Sequence, residues 1–264
     1  MHGFPEIERA RQNERDSIMN YPAASVAPLA HIRVVLHRPS HPGNIGSAAR
    51  AMKTMGLTRL VLVEPRRMPD EEARALAAGA VDVLDAARVC VSLREALEGA
   101  VLAMAFSART RQLSHAPLDV REAAQQAALM ARSDEVALVF GNETAGLANS
   151  DVLSCNRLVH IPSEPGHSSL NLAAAVQVAA YEVRVAAMGS GVEAKATQLA
   201  TVDDLEQLYE HMERSLRFTG FLDPGKPKRL MERLRRLFAR ARLEREEVNI
   251  LRGMLSAWDE SRKS

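Results

Sequence analysis

The sequence predicts an α/β domain with a parallel sheet, followed by a small all-helical region. Two observations carry this. From Ile32 to Met188, short apolar runs rich in β-branched residues alternate with segments of helical periodicity, as the βαβ units of a parallel sheet require. Beyond the small and polar stretch Gly189–Gln198, the apolar spacing is helical throughout. A chain of 264 residues suits one large domain or two smaller ones, and 47% hydrophobic with 25% charged residues excludes disorder along its whole length.

Residues 1–30 read as a flexible extension. Glu6, Glu8, Arg9, Arg11, Glu14, Arg15 and Asp16 open it, and the proline-bounded segment from Tyr21 to Pro28 closes it. It lacks the basic start and apolar core of a secretion signal, so a cytoplasmic protein is expected. Ile32–Leu36 is the first buried strand. A helix over Ser47–Met55 stops at Gly56, and Leu60–Val63 is a second strand, ended by Pro65. Asp70–Ala78 reads as helical and Val89–Val91 as a third strand. Ser92-Leu-Arg-Glu95 has the spacing of a capping box. Further strands are expected over Val101–Phe106, Val136–Phe140 and Arg157–Ile161, and helices over Val120–Ala131 and Leu170–Met188. Asn171, Gln177, Glu182 and Arg184 interrupt the last of these, so no run reaches the about 18–20 apolar residues of a membrane span. The expected division is therefore 31–188, a link over 189–201, and a helical region over 202–264.

Net charge is only +1, but it is unevenly placed. Between Gly225 and Arg252 ten basic residues face four acidic ones, an asymmetry that points to a polyanionic partner. Within the helix expected over 227–241, Leu230, Met231, Leu234, Leu237 and Phe238 make an apolar stripe. Arg229, Arg233, Arg236 and Arg240 fall at i, i+4, i+7 and i+11 beside it.

Three glycine-containing loops follow expected strands, where ligands of open parallel sheets bind. His41-Pro-Gly-Asn-Ile-Gly46 is not the dinucleotide fingerprint. Gly141-Asn-Glu-Thr-Ala-Gly146 has two glycines at phosphate-loop spacing, but Leu147 stands where lysine is needed. Asn44 is placed to cap the first helix, and Arg50 is either a surface guanidinium or a functional one. Glu143 either rigidifies its loop or takes part in catalysis. Ser168, Ser169 and Asn171 suit helix caps. No metal site is expected. Of eight histidines only His37 and His41 stand four apart, across Pro39 and Pro42, and Cys90 and Cys155 read as core thiols.

Taken in order, His41-Pro-Gly-Asn-Ile-Gly-Ser-Ala-Ala-Arg50, Leu138-Val-Phe-Gly-Asn-Glu-Thr-Ala-Gly-Leu147 and Ser168-Ser-Leu-Asn-Leu-Ala-Ala-Ala-Val176 resemble motifs 1, 2 and 3 of the SpoU family. These are SPOUT-class, S-adenosylmethionine-dependent RNA ribose 2′-O-methyltransferases. Met52-Lys-Thr-Met-Gly-Leu57, Ser107-Ala-Arg109-Thr-Arg111 and the helical tail are similar to one bacterial branch, which methylates cytidine or uridine 32 in the tRNA anticodon loop. Phe106 before Ser-Ala-Arg is a small departure, and residues 1–30 match nothing expected of the family.

The resemblance implies a C-terminal trefoil knot, which periodicity would never suggest, and a homodimer with its site near the subunit interface. It implies Arg50, Asn44 and Glu143 as catalytic residues and S-adenosylmethionine held by Phe106, Ser107, Ala108, Gly141, Ile161, Ser168, Ser169 and Leu170, without a metal. It also implies tRNA contacts from Arg109, Arg111 and the arginines of the tail. A guanidinium keeps its proton in proteins, so Arg50 is expected to bind phosphate and stabilise developing alkoxide charge. The competing readings are a ribosomal RNA methyltransferase, an inactive RNA-binding module and a small-molecule α/β enzyme.

Overall fold

The computed structural model describes residues 27–109, 117–189 and 198–261. Seven strands, β1 (Ile32–His37), β2 (Arg59–Val63), β3 (Arg88–Cys90), β4 (Ala100–Phe106), β5 (Leu118–Asp119), β6 (Glu135–Phe140) and β7 (Arg157–His160), form one sheet. Its order is β3-β2-β1-β6-β4-β7-β5 and every pairing is parallel. Both faces of β1 and β4 are buried, which is why these strands read as continuous apolar runs. β5 has two residues and escapes any periodicity.

The helices of the first part are α1 (Pro42–Thr54), α2 (Glu71–Ala77), α3 (Val81–Asp85), α4 (Leu93–Leu97), α5 (Val120–Met130), α6 (Asn149–Ser154) and α7 (Leu172–Gly189). On one face of the sheet Ile32, Val34 and Leu36 meet Ile45, Met52, Ala127 and Val176 from α1, α5 and α7. On the other, Val35, Val61 and Val139 meet Leu93 and Leu97 of α4. Gly46 lets the backbones of α1 and α2 touch: a Cβ there would lie 2.0 Å from the carbonyl oxygen of Ala73. Cys90 and Cys155 are buried and unbridged.

Several elements differ from expectation for local reasons. α1 begins at Pro42, five residues early, because proline without an N–H is tolerated in a first helical turn. His41 is thus the N-cap, and Asn44, expected to cap, lies inside the first turn with its side chain engaged elsewhere. α3 and α6 are too short to show a period. The hydroxyl of Ser92 accepts from the Glu95 N–H as expected, but the Glu95 carboxylate takes the N–H of Val91 rather than of Ser92. Residues 27–31, at the end of the expected extension, form a 3-10 turn with Leu29 buried. The remainder of that extension lies outside the described residues.

α7 is long and apolar enough, with mean hydropathy 1.2, to cross a membrane by length and composition, contrary to expectation. Leu172, Val176, Ala179, Ala180 and Val183 are buried in the core, whereas Tyr181, Val185 and Met188 are exposed on its outer side.

The tail consists of α8 (Val202–Phe218), α9 (Leu230–Ala241) and α10 (Arg245–Ser261). Thr201 and Asp204 cap α8 reciprocally. Leu205, Leu208, Tyr209, Met212, Val248 and Leu255 make its own core. Residues 198–200, within the expected link, pair with 243–245 through Ala200 N–H to Leu243 O (2.9 Å) and Arg245 N–H to Gln198 O (3.0 Å). Residues 190–197 lie outside the described residues. The tail docks on the first part through Arg94–Glu210 (2.7 Å) and through the Gly99 N–H on Asp203 (2.8 Å). From β7, the Arg157 guanidinium donates to Ala239 O at 2.7 Å. Burial pulls the pKa of Arg157 below the ordinary arginine range.

Candidate active site

The carboxyl ends of β1, β4, β6 and β7 feed four loops that converge on one cleft. β1 leads into residues 38–41, where Arg38 has φ +54° and pairs with Glu64, itself at φ +44°. The Arg38 N–H bonds Val63 O at 2.8 Å, so the left-handed kink is held on both sides. After β6, Gly141 presses against the far end of its own loop: a Cβ would lie 2.3 Å from the carbonyl carbon of Gly146 and 2.4 Å from the Leu147 nitrogen. The Asn142 side-chain oxygen accepts from the N–H groups of Thr144 and Ala145, and Gly146, at φ +67°, closes the turn by bonding Asn142 O at 2.8 Å.

Glu143 joins these two loops. Its carboxylate accepts the Ser40 N–H (2.9 Å), the Ser40 hydroxyl (2.9 Å), the His41 N–H (3.3 Å) and the Asn44 amide (2.9 Å). Partial burial raises its pKa, but the bonds from Asn44 and Ser40 outweigh this and hold it below the usual carboxylate range. A carboxylate can only accept, so Asn44 turns its NH₂ to Glu143 and leaves its oxygen for the Asn171 amide at 3.1 Å. Asn171 Oδ1 in turn accepts the Ala173 N–H and caps α7. One chain of hydrogen bonds, Asn171 to Asn44 to Glu143, therefore ties together the three segments singled out in the sequence.

Beside this chain lies a pocket lined by Phe106, Ser107, Ala108, Arg109, Gly141, Ile161, Ser168, Ser169 and Leu170, with Glu143 on its rim. All eight residues expected at the cofactor fall on it. Phe106 and Phe140 stack beneath, ring centroids 4.4 Å apart and 15° from parallel. The Ser107 N–H bonds Val159 O at 3.0 Å, and the Ser163 hydroxyl bonds Ser168 O at 3.2 Å, fixing the walls. The floor is apolar and the rim carries hydroxyls and main-chain groups, which suits a ligand with a flat apolar ring and a polar tail.

Other expected residues lie apart. Arg50 is exposed on α1 and does not line the pocket. It stands six residues after Asn44, roughly 240° around the helix at 3.6 residues per turn. Arg111 lies outside the described residues. Arg229 is not on α9 but is its N-cap, at φ +57°. Arg233 and Arg240 are exposed, and the Nε of Arg236 is buried without a partner. Leu237, expected in the apolar stripe, is 47% exposed among these arginines. Arg235 is engaged internally, paired with Glu206 and lying 4.5 Å over the Tyr209 ring. Among the described residues no three of His, Cys, Asp and Glu come together as metal ligands.

Sequence reasoning missed Ser40 and Asn142. The Asn142 amide donates to Arg38 O (2.8 Å) and to the Ser40 hydroxyl, so both residues brace the first two loops. Asn142 could have been found from its place in a glycine-bounded loop after a strand, where an asparagine side chain bonds the backbone two residues on. His37 was weighed in the sequence only as a metal ligand. It is buried, with Nδ1 3.4 Å from Asp151, and links the end of β1 to the start of α6.

This sheet with its three-loop pocket defines a methyltransferase of the SpoU class. Residues 31–181 match the SpoU rRNA Methylase family, and the chain belongs to that family. Residues 203–264 match a second description, tRNA methyltransferase TrmJ, C-terminal domain. The chain is 51% identical over 240 residues to the tRNA (cytidine/uridine/adenosine-2′-O-)-methyltransferase TrmJ of Pseudomonas aeruginosa (strain UCBPP-PA14), covering 86% of this chain and 93% of that protein. It is 49% identical to the tRNA (cytidine/uridine-2′-O-)-methyltransferase TrmJ of Escherichia coli (strain K12), covering 89% and 98%. Among solved structures, TrmJ from Z. mobilis ZM4 superposes with a TM-score of 0.76 at 33% identity, covering 86% of this chain and 98% of that one. A probable methylase family protein from Haemophilus influenzae Rd KW20 gives 0.59 at 42% identity, covering 89% and 98%.

Proposed function

We propose that the chain transfers a methyl group from S-adenosylmethionine to the ribose 2′-hydroxyl of cytidine or uridine 32 in the tRNA anticodon loop. The observation that carries this is the union of a three-loop pocket, tied by the Asn171–Asn44–Glu143 chain, with a tail matching the TrmJ C-terminal domain. That tail favours tRNA over ribosomal RNA. S-adenosylmethionine supplies an electrophilic methyl carried on a sulfonium. The residues present fit it: Phe106 and Phe140 offer an apolar floor, while Ser107, Ser168 and Ser169 offer polar groups at the rim.

In this reading the protein's contribution is positioning and charge. Glu143 and Asn44 hold residues 38–44 against the pocket rim, so the loops are ordered before the substrate arrives. Arg50 and Arg109 bind phosphate beside the target nucleotide, and Arg50 stabilises the negative charge that develops on the ribose oxygen. Arg111 and the tail residues Arg229, Arg233, Arg236 and Arg240 hold the tRNA backbone.

The active form is a homodimer acting in the cytoplasm. The exposed Tyr181, Val185 and Met188 of α7, and an Arg50 that stands off its own pocket, support a site shared between two copies. The chain folds as a catalytic part over 31–188 and a tRNA-binding part over 202–264, joined by 189–201. Insertion of β7 between β4 and β5, which precede it in the chain, supports the knotted return.

The test is methylation of unmodified tRNA by the purified protein with labelled S-adenosylmethionine, followed by nucleoside mapping. A 2′-O-methyl group at position 32 is expected. Product elsewhere overturns the substrate assignment, and absence of cofactor binding by calorimetry overturns the reading of the pocket.

A further inference from the structure

Apolar side chains are exposed at three places on the tail, Leu237 among the arginines of α9, Ile250, Met254 and Trp258 along α10, and Phe218 and Phe221 at the end of α8, and the surroundings of the last two groups differ. On α10, Ile250 and Met254 are exposed with Glu246 and Glu247 one turn before Ile250. Such a face repels phosphate. At the end of α8 the opposite holds. Phe218 is 49% and Phe221 is 71% exposed; Arg217 beside them pairs with Glu213 and Arg229 lies 4.0 Å from Glu232, while Lys226 and Lys228 follow in the same turn, with Asp223 as its acidic residue.

The turn that presents Phe221 is built rather than loose. Gly220 takes φ +75° and bonds Arg217 O at 3.1 Å, and the Leu222 N–H bonds Leu216 O at 2.9 Å. Leu222 is buried, so its neighbour Phe221 is held outward. The carboxylate of Asp223 is occupied within the turn, accepting the Gly225 N–H at 2.8 Å. Exposed aromatic rings held on an ordered turn that also carries lysines are the chemistry that holds unstacked nucleobases, through ring stacking beside phosphate contacts.

Resting on the tRNA reading above, we propose that Phe218 and Phe221 form a stacking platform for an unpaired base of the substrate loop. The tail then selects single-stranded loop over duplex, which arginine–phosphate contacts alone cannot do. The test uses the full chain and two RNAs of equal phosphate count, an unmodified anticodon stem-loop and a blunt duplex, with affinity measured across a salt series. Phe221→Ala should weaken stem-loop binding about tenfold, leave duplex binding and the salt slope unchanged, and be rescued by Phe221→Trp. Phe218→Ala should act in the same direction, and thermal melting of each variant should match wild type. By contrast, Arg233→Gln with Arg236→Gln should weaken both RNAs and flatten the salt slope. Unaltered stem-loop affinity in both phenylalanine variants, or an equal loss on duplex, overturns the platform. So does a shift in sedimentation from dimer to monomer, which makes this face a contact between copies. Wild-type protein that binds neither RNA overturns the tRNA reading itself, a result distinct from the others.

Discussion

Glu143→Ala removes one carboxylate and leaves four donors without their acceptor: two main-chain N–H groups, one hydroxyl and one amide. A hydrogen bond to an ionised group contributes about 1.5–3 kcal/mol when buried. Glu143 is half-buried, so water recovers part of this for the hydroxyl and the amide. Counting the two main-chain donors at or below the low end gives about 2–3 kcal/mol, spent mainly in holding residues 40–44 against the 141–147 loop. At 1.36 kcal/mol per factor of ten, kcat/KM for tRNA methylation should fall about 30- to 160-fold. Glu143→Gln keeps one acceptor oxygen but sets an NH₂ against the remaining donors, so it should fall between. The charge has a second signature. Because the pKa of Glu143 is held below its unfolded value, its stabilisation is complete above the unfolded pKa and is lost as pH drops through the folded one. Melting temperatures of wild type and Glu143→Gln should therefore differ most near neutrality and converge below about pH 4. Wild-type kcat/KM in Glu143→Ala, or a melting gap constant down to acid pH, would refute the reasoning.

Three further outcomes are expected. Gly46→Ala sets a methyl 2.0 Å from the Ala73 carbonyl, forcing α1 from α2. Overpacking of this kind costs about 1–3 kcal/mol or more, and the melting temperature should drop by several degrees. Gly141→Ala places its Cβ 2.3 Å from backbone in the same loop, so calorimetry should show at least tenfold weaker S-adenosylmethionine binding; unchanged affinity would mean the loop can shift. Arg50→Ala should abolish methylation yet leave cofactor affinity near wild type, because Arg50 is off the pocket, and a matching loss of cofactor binding would make it structural.

The alternating pattern exposed the parallel sheet because β1, β4 and β6 bury almost every residue and so appear as unbroken apolar runs. What it could not show was order. The position of β7 between β4 and β5 depends on which edges remain open, not on its four residues. The pocket residues were legible as a resemblance, segment by segment. Their mutual bonding was not, since Asn171 and Asn44 are 127 residues apart. Asn44 was misjudged as a cap because it is a good N-cap residue near a helix start, yet Pro42 takes the first turn and frees Asn44 for Glu143. Leu237 was misplaced for the opposite reason. Its i+3 spacing from Leu234 puts it at the margin of the apolar face, where Arg233, Arg236 and Arg240 also sit.

The insertion of β7 has a consequence for how the molecule is made. β1, β2 and β3 can pair as the ribosome delivers them, whereas β4 and β5 each wait for a later strand: β6 joins β4 to β1, and β7 joins β5 to β4. β7 takes the outer edge of β4 and itself offers the edge on which β5 lies, and among the described residues β5 pairs with no other strand. The part of the sheet that carries Ile161 and the 163–170 wall of the pocket is thus assembled last. A nascent chain ending before residue 160 holds most of the hydrophobic core yet has no cofactor wall. The pocket is therefore closed only once the chain has passed residue 175, and no shorter nascent chain holds its whole lining.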